Sequence, residues 1–139
     1  MKKGLLLNSE VSAVIAQMGH TDMLTLGDCG LPINQAKRID LALKRGVPGF
    51  LETLDAVLTE LCVEKVILSK EIKTVSPEMH QAILSRFGET VKFEYVQHEE
   101  FKKRTEDSKA VIRTGECTSF ANVILVSGVA FHWRASKVR

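Results

Sequence analysis

The sequence predicts an α/β fold: a single layered domain with a largely parallel sheet flanked by helices. Short apolar segments of strand character alternate with segments whose apolar residues recur at helical spacing, which is the pattern of strand–helix–strand units. The chain has 139 residues, 45% hydrophobic and 26% charged, as is typical of one globular domain. No Gly/Ser/Pro-rich linker divides it. We therefore expect residues 1–131 to form the domain and 132–139 to be a C-terminal tail or a cloning remnant.

The first half of the chain carries two helix signals around one strand. Asn8 can cap a helix that ends at Gly19, which is expected in the left-handed conformation. Residues 23–26 read as a short strand, followed by a loop rich in Gly and Pro over 27–32. A second helix is predicted over 48–62, because Pro is favoured in a first turn and four leucines recur on one face.

The second half predicts more strands. The apolar run 66–68 is typical of a strand covered on both faces. Ser76 and Pro77 begin a third helix that Gly88 closes. Residues 91–96 alternate in polarity, which favours an edge strand, and 98–107 form a polar helical segment. The last strand candidates are 110–113 and 123–126.

The charge balance excludes some partner classes. Nineteen basic and seventeen acidic residues give a net charge of +2, too balanced to indicate nucleic acid or an anionic membrane. No apolar run approaches the ~18 residues of a membrane span, and the run at 5–7 is too short for a secretory leader. Three cysteines without a C-x-x-C pair argue against a disulfide framework and favour a reducing compartment. We therefore expect a cytoplasmic protein.

Polar segments next to the predicted strands form the candidate site, because ligands of open α/β sheets bind beyond the strands' carboxyl ends. His20 follows a helix end, and a carboxylate such as Asp28 would raise its proton affinity and orient it for general acid–base catalysis. A solvated capping histidine and a turn aspartate explain the same two residues. His98 is more typical of a helix start, and His80 is expected on the exposed side of its helix. The third polar segment, 114–122, links two predicted strands.

Cofactor chemistry has no motif in this chain. The His, Asp and Cys residues of these segments include no pair at metal-ligand spacing, so no metal site is predicted. A P-loop and a G-x-G-x-x-G segment are both absent, which leaves a nucleotide site without support. The residues alone indicate a small α/β protein with a candidate acid–base site and no cofactor.

Several motifs, in one register from residue 1 to about 131, resemble the D-ribose pyranase family. They are NSEVS at 8–12, MGHTD at 18–22, DCGLPI at 28–33, KRIDLAL at 37–43, GVP at 46–48, AVIRTGE at 110–116 and ANVIL at 121–125. The related L-fucose mutarotases share the fold and part of this pattern. The block at 37–43 and the overall length favour the ribose family.

The resemblance implies an isomerase that interconverts the β-pyranose and β-furanose rings of D-ribose without a cofactor. It places the family's proton donor on His20. The implied sugar-binding residues are Asp28, His98, Phe120, Ala121 and Asn122. The family usually has tyrosine at position 120 and proline at 119, where this chain has Phe120 and Ser119, so the ring at 120 cannot hydrogen-bond through a phenol.

The resemblance also implies a homo-oligomer, a decamer of two stacked pentameric rings with sites at subunit boundaries. Three alternatives stay open. One is a mutarotase for L-fucose or another sugar, the second is a sugar-binding protein without catalysis, and the third is an interaction protein whose polar loops build only a ring interface.

Overall fold

The computed structural model describes residues 1–133, so most of the expected tail, 134–139, lies outside the described residues. Six strands form one sheet: β1 (Met23–Gly27), β2 (Arg38–Asp40), β3 (Val63–Ser69), β4 (Lys92–Val96), β5 (Ala110–Arg113) and β6 (Val123–Ser127). Their order across the sheet is β2-β5-β1-β6-β3-β4. The alternating strand at 92–96 lies at an edge, as the sequence predicts.

Five of the six strands run in the same direction. β1 and β2 pair with β5 in parallel, and β3 pairs with β4 in parallel. β6 is the exception, because it lies between β1 and β3 and is antiparallel to both. The largely parallel α/β sheet is thus confirmed. The carboxyl ends of β1, β3 and β4 meet the amino end of β6 at one edge of the sheet.

Within residues 1–133, five helices cover the two faces of the sheet. They are α1 (Ser9–Gln17), α2 (Phe50–Leu58), α3 (Ile72–Val75), α4 (Pro77–Leu84) and α5 (His98–Thr105). The larger apolar core contains Val11, Phe50, Ile72 and Ile83, contributed by the first four helices. The smaller core, on the other face, is built around Phe101 of α5. Alternate strand residues supply both cores, which is why the inner strands are mostly apolar. The edge strands β2 and β4 keep charged residues.

Several helix ends differ from the prediction; the third predicted helix, for example, ends at Leu84 and not at Gly88. Asn8 caps α1 as expected, its side chain accepting the Val11 N–H at 2.9 Å. The helix ends before Gly19, however, and the left-handed residue is Thr21, with φ 71°. A hydrogen bond from the Thr21 N–H to the Ser127 carbonyl directs the chain into β1. The second helix begins at Phe50, after Pro48, and ends at Leu58.

His80 is buried, which corrects the expectation of an exposed position. Only 8% of His80 is exposed, and its Nε2 lies 2.6 Å from the hydroxyl oxygen of Tyr95 on β4. The short helix α3, too brief to show a period in the sequence, covers this side. Its Lys73 places an ammonium group 3.8 Å from the centre of the Tyr95 ring. Among residues 1–133, no helix is long and apolar enough to cross a membrane.

Candidate active site

Four segments with polar side chains meet where β1, β3 and β4 end and β6 begins. Asp28 directly follows β1, and Asn122 directly precedes β6. Because β6 is antiparallel to β1, with Leu26 opposite Val123, these two residues are neighbours. His98 is the second residue after the end of β4. The topology therefore brings three of the predicted sugar-binding residues to a single edge.

Asp28 and Asn122 are joined by two hydrogen bonds. The Asp28 N–H donates to Asn122 Oδ1 at 2.8 Å, and Asn122 Nδ2 donates to Asp28 Oδ2 at 3.1 Å. The Gly30 N–H donates to the other carboxylate oxygen at 2.9 Å. Gly27 makes this approach possible, because a Cβ there would lie 2.6 Å from Leu31 Cδ2 and 3.0 Å from Asn122 Oδ1. The Asp28 carboxylate is therefore fixed in position.

Burial shapes the acidity of Asp28. It raises the pKa of this carboxyl, because the charged form loses solvation. Hydrogen bonds from Gly30 and Asn122 act in the opposite direction, and so does the nearby His98. Burial outweighs these effects, so the pKa of Asp28 lies above that of an exposed aspartate.

Hydrogen bonds fix both the ring and the backbone of His98. Its Nδ1 lies 2.7 Å from the hydroxyl oxygen of Ser69, the last residue of β3. The backbone N–H of His98 donates to both carboxylate oxygens of Glu71, each at 3.1 Å, which places a negative charge at the amino end of α5. Burial lowers the pKa of His98, and Lys102 lowers it further. His98 is thus a mostly uncharged imidazole at neutral pH.

Aromatic rings form the wall beside His98. The Phe120 ring contacts it edge to face, with centroids 4.9 Å apart, and Phe101 stacks on it at 6.0 Å. Phe120 has a positive φ of 63°, a conformation that is uncommon for a bulky residue and found mainly where the surroundings enforce it. Ala121 is fully buried between Phe120 and Asn122. A half-buried apolar ring next to polar groups suits the CH face of a sugar.

The predicted proton donor lies elsewhere in the chain. His20 precedes β1 and Asp28 follows it, so this strand of five residues, about 16 Å long at ~3.3 Å per residue, separates them. His20 Nε2 pairs instead with Glu64 Oε1 at 2.8 Å, and the imidazole is 53% exposed. The expected pairing of His20 with Asp28 is therefore wrong within one chain, because the two residues occupy opposite edges of the sheet.

The loop 114–122 is anchored at its middle. Glu116 accepts the Phe50 N–H at the start of α2 at 2.9 Å and the Thr118 hydroxyl at 2.7 Å. Burial would raise the pKa of Glu116, but these hydrogen bonds outweigh it and lower the pKa. The loop also places Cys117 Sγ 3.9 Å from Cys29 Sγ, next to Asp28.

The arrangement suits the binding of a polyol. It offers a fixed carboxylate, a neutral imidazole and an aromatic edge side by side, which supplies both donors and acceptors. In the part of the chain that the structure describes, no three His, Cys, Asp or Glu residues are grouped to hold a metal ion. Sequence reasoning missed Ser69 and Glu71, which support His98. The only signal was a polar residue directly after the apolar run 66–68.

Comparison with known proteins gives the site a context. The model of the RbsD / FucU transport protein family matches residues 1–130. A D-ribose pyranase of Clostridium perfringens is 57% identical over 132 residues, covering 94% of this chain and all of that protein. A D-ribose pyranase of Salmonella arizonae is 52% identical over 139 residues, with the same coverage.

Solved structures agree with these relatives. RbsD of Bacillus subtilis, solved in complex with D-ribose, superposes with a TM-score of 0.90 at 46% identity, covering 94% of this chain and all of that one. A fucose mutarotase of Streptococcus pneumoniae, solved with L-fucose, shares the fold at a TM-score of 0.75 and 21% identity, covering 93% of this chain and 99% of that one. On the match over residues 1–130 and identities above 50% across whole relatives, the chain belongs to the RbsD / FucU transport protein family.

Proposed function

We propose that this protein is a D-ribose pyranase, an isomerase that interconverts the β-pyranose and β-furanose forms of D-ribose without a cofactor. The observation that carries the proposal is the convergence of Asp28, Asn122 and His98 at one sheet edge in a chain 57% identical to a D-ribose pyranase. The bound D-ribose of the Bacillus subtilis relative supports the same substrate. The fucose mutarotase, at 21% identity, supports only the fold.

The reaction requires proton transfers and no redox step. The pyranose opens when the ring oxygen gains a proton and the anomeric hydroxyl loses one, so that the bond from C1 to the ring oxygen breaks and an aldehyde remains. The C4 hydroxyl then adds to C1 and loses its proton, while the carbonyl oxygen gains one. The product is the furanose isomer. General acid–base groups accelerate such transfers by roughly 10²–10⁴-fold.

Each predicted residue receives a role in this proposal. His20 gives a proton to the ring oxygen, and the Asp28 carboxylate accepts a hydrogen bond from a sugar hydroxyl. His98 binds a second hydroxyl. Asn122 is fully buried with both ends of its amide on Asp28, so its contribution to the sugar acts mainly through that carboxylate. Phe120 and Ala121 present a ring and a backbone segment to the sugar.

A second copy of the chain completes the site. His20 and Asp28 lie at opposite ends of β1. One copy therefore supplies His20, and its neighbour supplies the sugar-binding cluster of Asp28, His98 and Asn122. Two pentameric rings stacked into a decamer are the proposed assembly, in the cytoplasm. Exposed apolar side chains are consistent with burial between copies. They are Leu5, Leu7, Leu43, Val47, Val75, Val129, Phe131 and Trp133.

Proton NMR saturation transfer on equilibrated D-ribose tests the proposal. Exchange between pyranose and furanose signals should accelerate with the wild-type protein and return to the uncatalysed rate with His20→Ala. Glu89→Ala, at an exposed position between α4 and β4, serves as the control. Binding of ribose without accelerated exchange would replace the pyranase with a sugar-binding protein. Acceleration of L-fucose exchange alone would indicate a mutarotase.

A further inference from the structure

Ser69 is a buried serine whose hydroxyl lies next to Nδ1 of the His98 ring. The residue is the last of β3 and has no exposed surface. Its register partner on β4 is Val96, two residues before His98, so the parallel pair β3–β4 delivers both side chains to the same place. The distance of 2.7 Å from Ser69 Oγ to His98 Nδ1 is that of a well-formed hydrogen bond.

The direction of this hydrogen bond follows from the surroundings of the hydroxyl. Among residues 1–133, His98 Nδ1 is the only hydrogen-bond partner of Ser69 Oγ. If Nδ1 carried a proton and donated it, the serine hydrogen would be buried without an acceptor. That penalty is enough to shift a tautomer equilibrium by about tenfold or more. The hydroxyl is therefore the donor, and Nδ1 accepts.

We propose that Ser69 is a positioning residue that holds His98 in one tautomer, with the proton on Nε2. His98 then offers an N–H donor to the sugar, and the unprotonated nitrogen is hidden on Ser69. The inference rests on the proposed function for its consequence, although the tautomer itself is a property of the ligand-free protein. The two residues then have complementary roles: His98 donates a hydrogen bond to a sugar oxygen, and Asp28 accepts one from a sugar hydroxyl.

The charges around His98 are compatible with this neutral form. Lys102, on its own helix, disfavours a second proton. Glu71 after β3, Asp28 after β1 and Glu99 on α5 favour one, but burial outweighs them. A doubly protonated ring would also need Ser69 as acceptor, which would leave the buried hydroxyl hydrogen without an acceptor among residues 1–133. Geometry and charge thus lead to the same protonation state.

The tautomer can be measured without substrate. In ¹⁵N-histidine-labelled, sedimented protein, solid-state NMR distinguishes the two neutral tautomers and the charged ring, and His98→Gln assigns the signal. At pH 7.5 we expect a single neutral form of His98 with the proton on Nε2. A proton on Nδ1, or a charged ring, overturns the inference whatever the activity is.

Variants connect the tautomer to the sugar. Ser69→Ala should give a mixture of tautomers and raise KM for D-ribose about threefold to tenfold, with kcat changed less. Ser69→Cys, a weak donor of similar size, should recover part of the loss. Ser108→Ala removes another buried hydroxyl, one bonded to Thr25, and should leave both the His98 signal and KM unchanged. A Ser69→Ala protein with the wild-type tautomer and KM would refute the positioning role.

The two proposals fail in different ways. If the wild-type protein does not accelerate ribose exchange, the proposed function fails while the tautomer measurement keeps its meaning. If exchange is accelerated but His98 carries its proton on Nδ1, only the role of Ser69 fails.

Discussion

Asp28 and Asn122, 94 positions apart in the chain, exchange two hydrogen bonds through the Asp28 carboxylate and backbone N–H and both ends of the Asn122 amide. The pair exists because β6 enters the sheet antiparallel to β1, so that the residue before one strand meets the residue after the other. A buried amide whose two ends are both satisfied fixes its own orientation and that of its partner.

Replacing Asn122 should therefore damage both stability and binding. Asn122→Ala leaves the Asp28 N–H and carboxylate without these partners, which should lower the free energy of unfolding by about 1–3 kcal/mol and weaken ribose binding. Urea unfolding and ribose titration calorimetry measure the two effects. Asn34→Ala, at an exposed position, is the control. Unchanged ribose affinity in Asn122→Ala would show that the Asp28 carboxylate needs no such support.

A charged replacement adds a pH signature. Asn122→Asp places a second carboxylate against Asp28, and two neighbouring carboxylates tend to share one proton. The loss of stability relative to wild type should then be larger at pH 8 than at pH 5, because protonation of one carboxyl restores a hydrogen bond. Unfolding curves at the two pH values compare the variants. A deficit independent of pH would contradict this geometry.

Mixed oligomers test whether two copies form one site. His20→Ala and Asp28→Asn should each be inactive alone. When the two are coexpressed, random assembly leaves about one quarter of the sites with both wild-type groups if the site is shared between copies. A site within one chain would give no recovery. Coexpression of wild type with the double variant is the matched control, expected to give about one quarter of full activity for a shared site and about one half for a site within one chain.

Ribose binding should depend on pH through His98. Burial and Lys102 lower the pKa of His98 below the ordinary value of 6.5. The imidazole is therefore neutral at pH 6.5 and above, and ribose affinity should fall only as the pH drops through the lowered pKa. In the window between the two pKa values the unfolded chain binds more protons, so this group makes stability rise with pH. Lys102→Gln removes one lowering influence and should move the binding midpoint to higher pH. Titration calorimetry from pH 5 to 8 measures it, with Lys103→Gln as control; an unmoved midpoint would contradict the assignment.

The sulfur atoms of Cys29 and Cys117 lie close enough for a chemical test of the loop geometry. They are 3.9 Å apart, whereas a disulfide brings them to about 2.05 Å. Diamide, which takes up the two thiol hydrogens and is reduced to the hydrazide, should therefore join them within one chain. Peptide mass spectrometry should find this link in wild type and Cys62→Ser, but not in Cys117→Ser. A link through Cys62 instead would mean that the loop is placed differently.

Much of the fold was predictable because its inner strands are mostly apolar and two of its helices have a clear start signal. Asn8 and Pro77 mark helix starts correctly, and the alternation of residues 92–96 reveals the edge strand. The strand β2 could not be recognised, since only Ile39 of its three residues is buried. The antiparallel direction of β6 has no local signal either, because its apolar run looks the same in both directions.

The sequence predicted which residues belong to the candidate site, but not how they are arranged. Asp28 and His98 were selected as polar residues beside strands, and the structure brings them to one edge. His20 was expected beside Asp28 because they are close in sequence, but an extended strand separates its two ends as far as its length allows. Ser69 escaped notice because a serine at the end of an apolar run has many ordinary explanations, and its partner is 29 positions away.

The length of β1 has a kinetic consequence. In the proposed assembly one end of this strand serves one reaction centre and the other end serves the next, so a lone chain holds both halves of the chemistry and no complete centre. Activity per chain should then fall steeply once dilution separates the copies, and the initial rate should rise faster than linearly with protein concentration in that range. A cell that makes only a few copies would have the protein without the reaction.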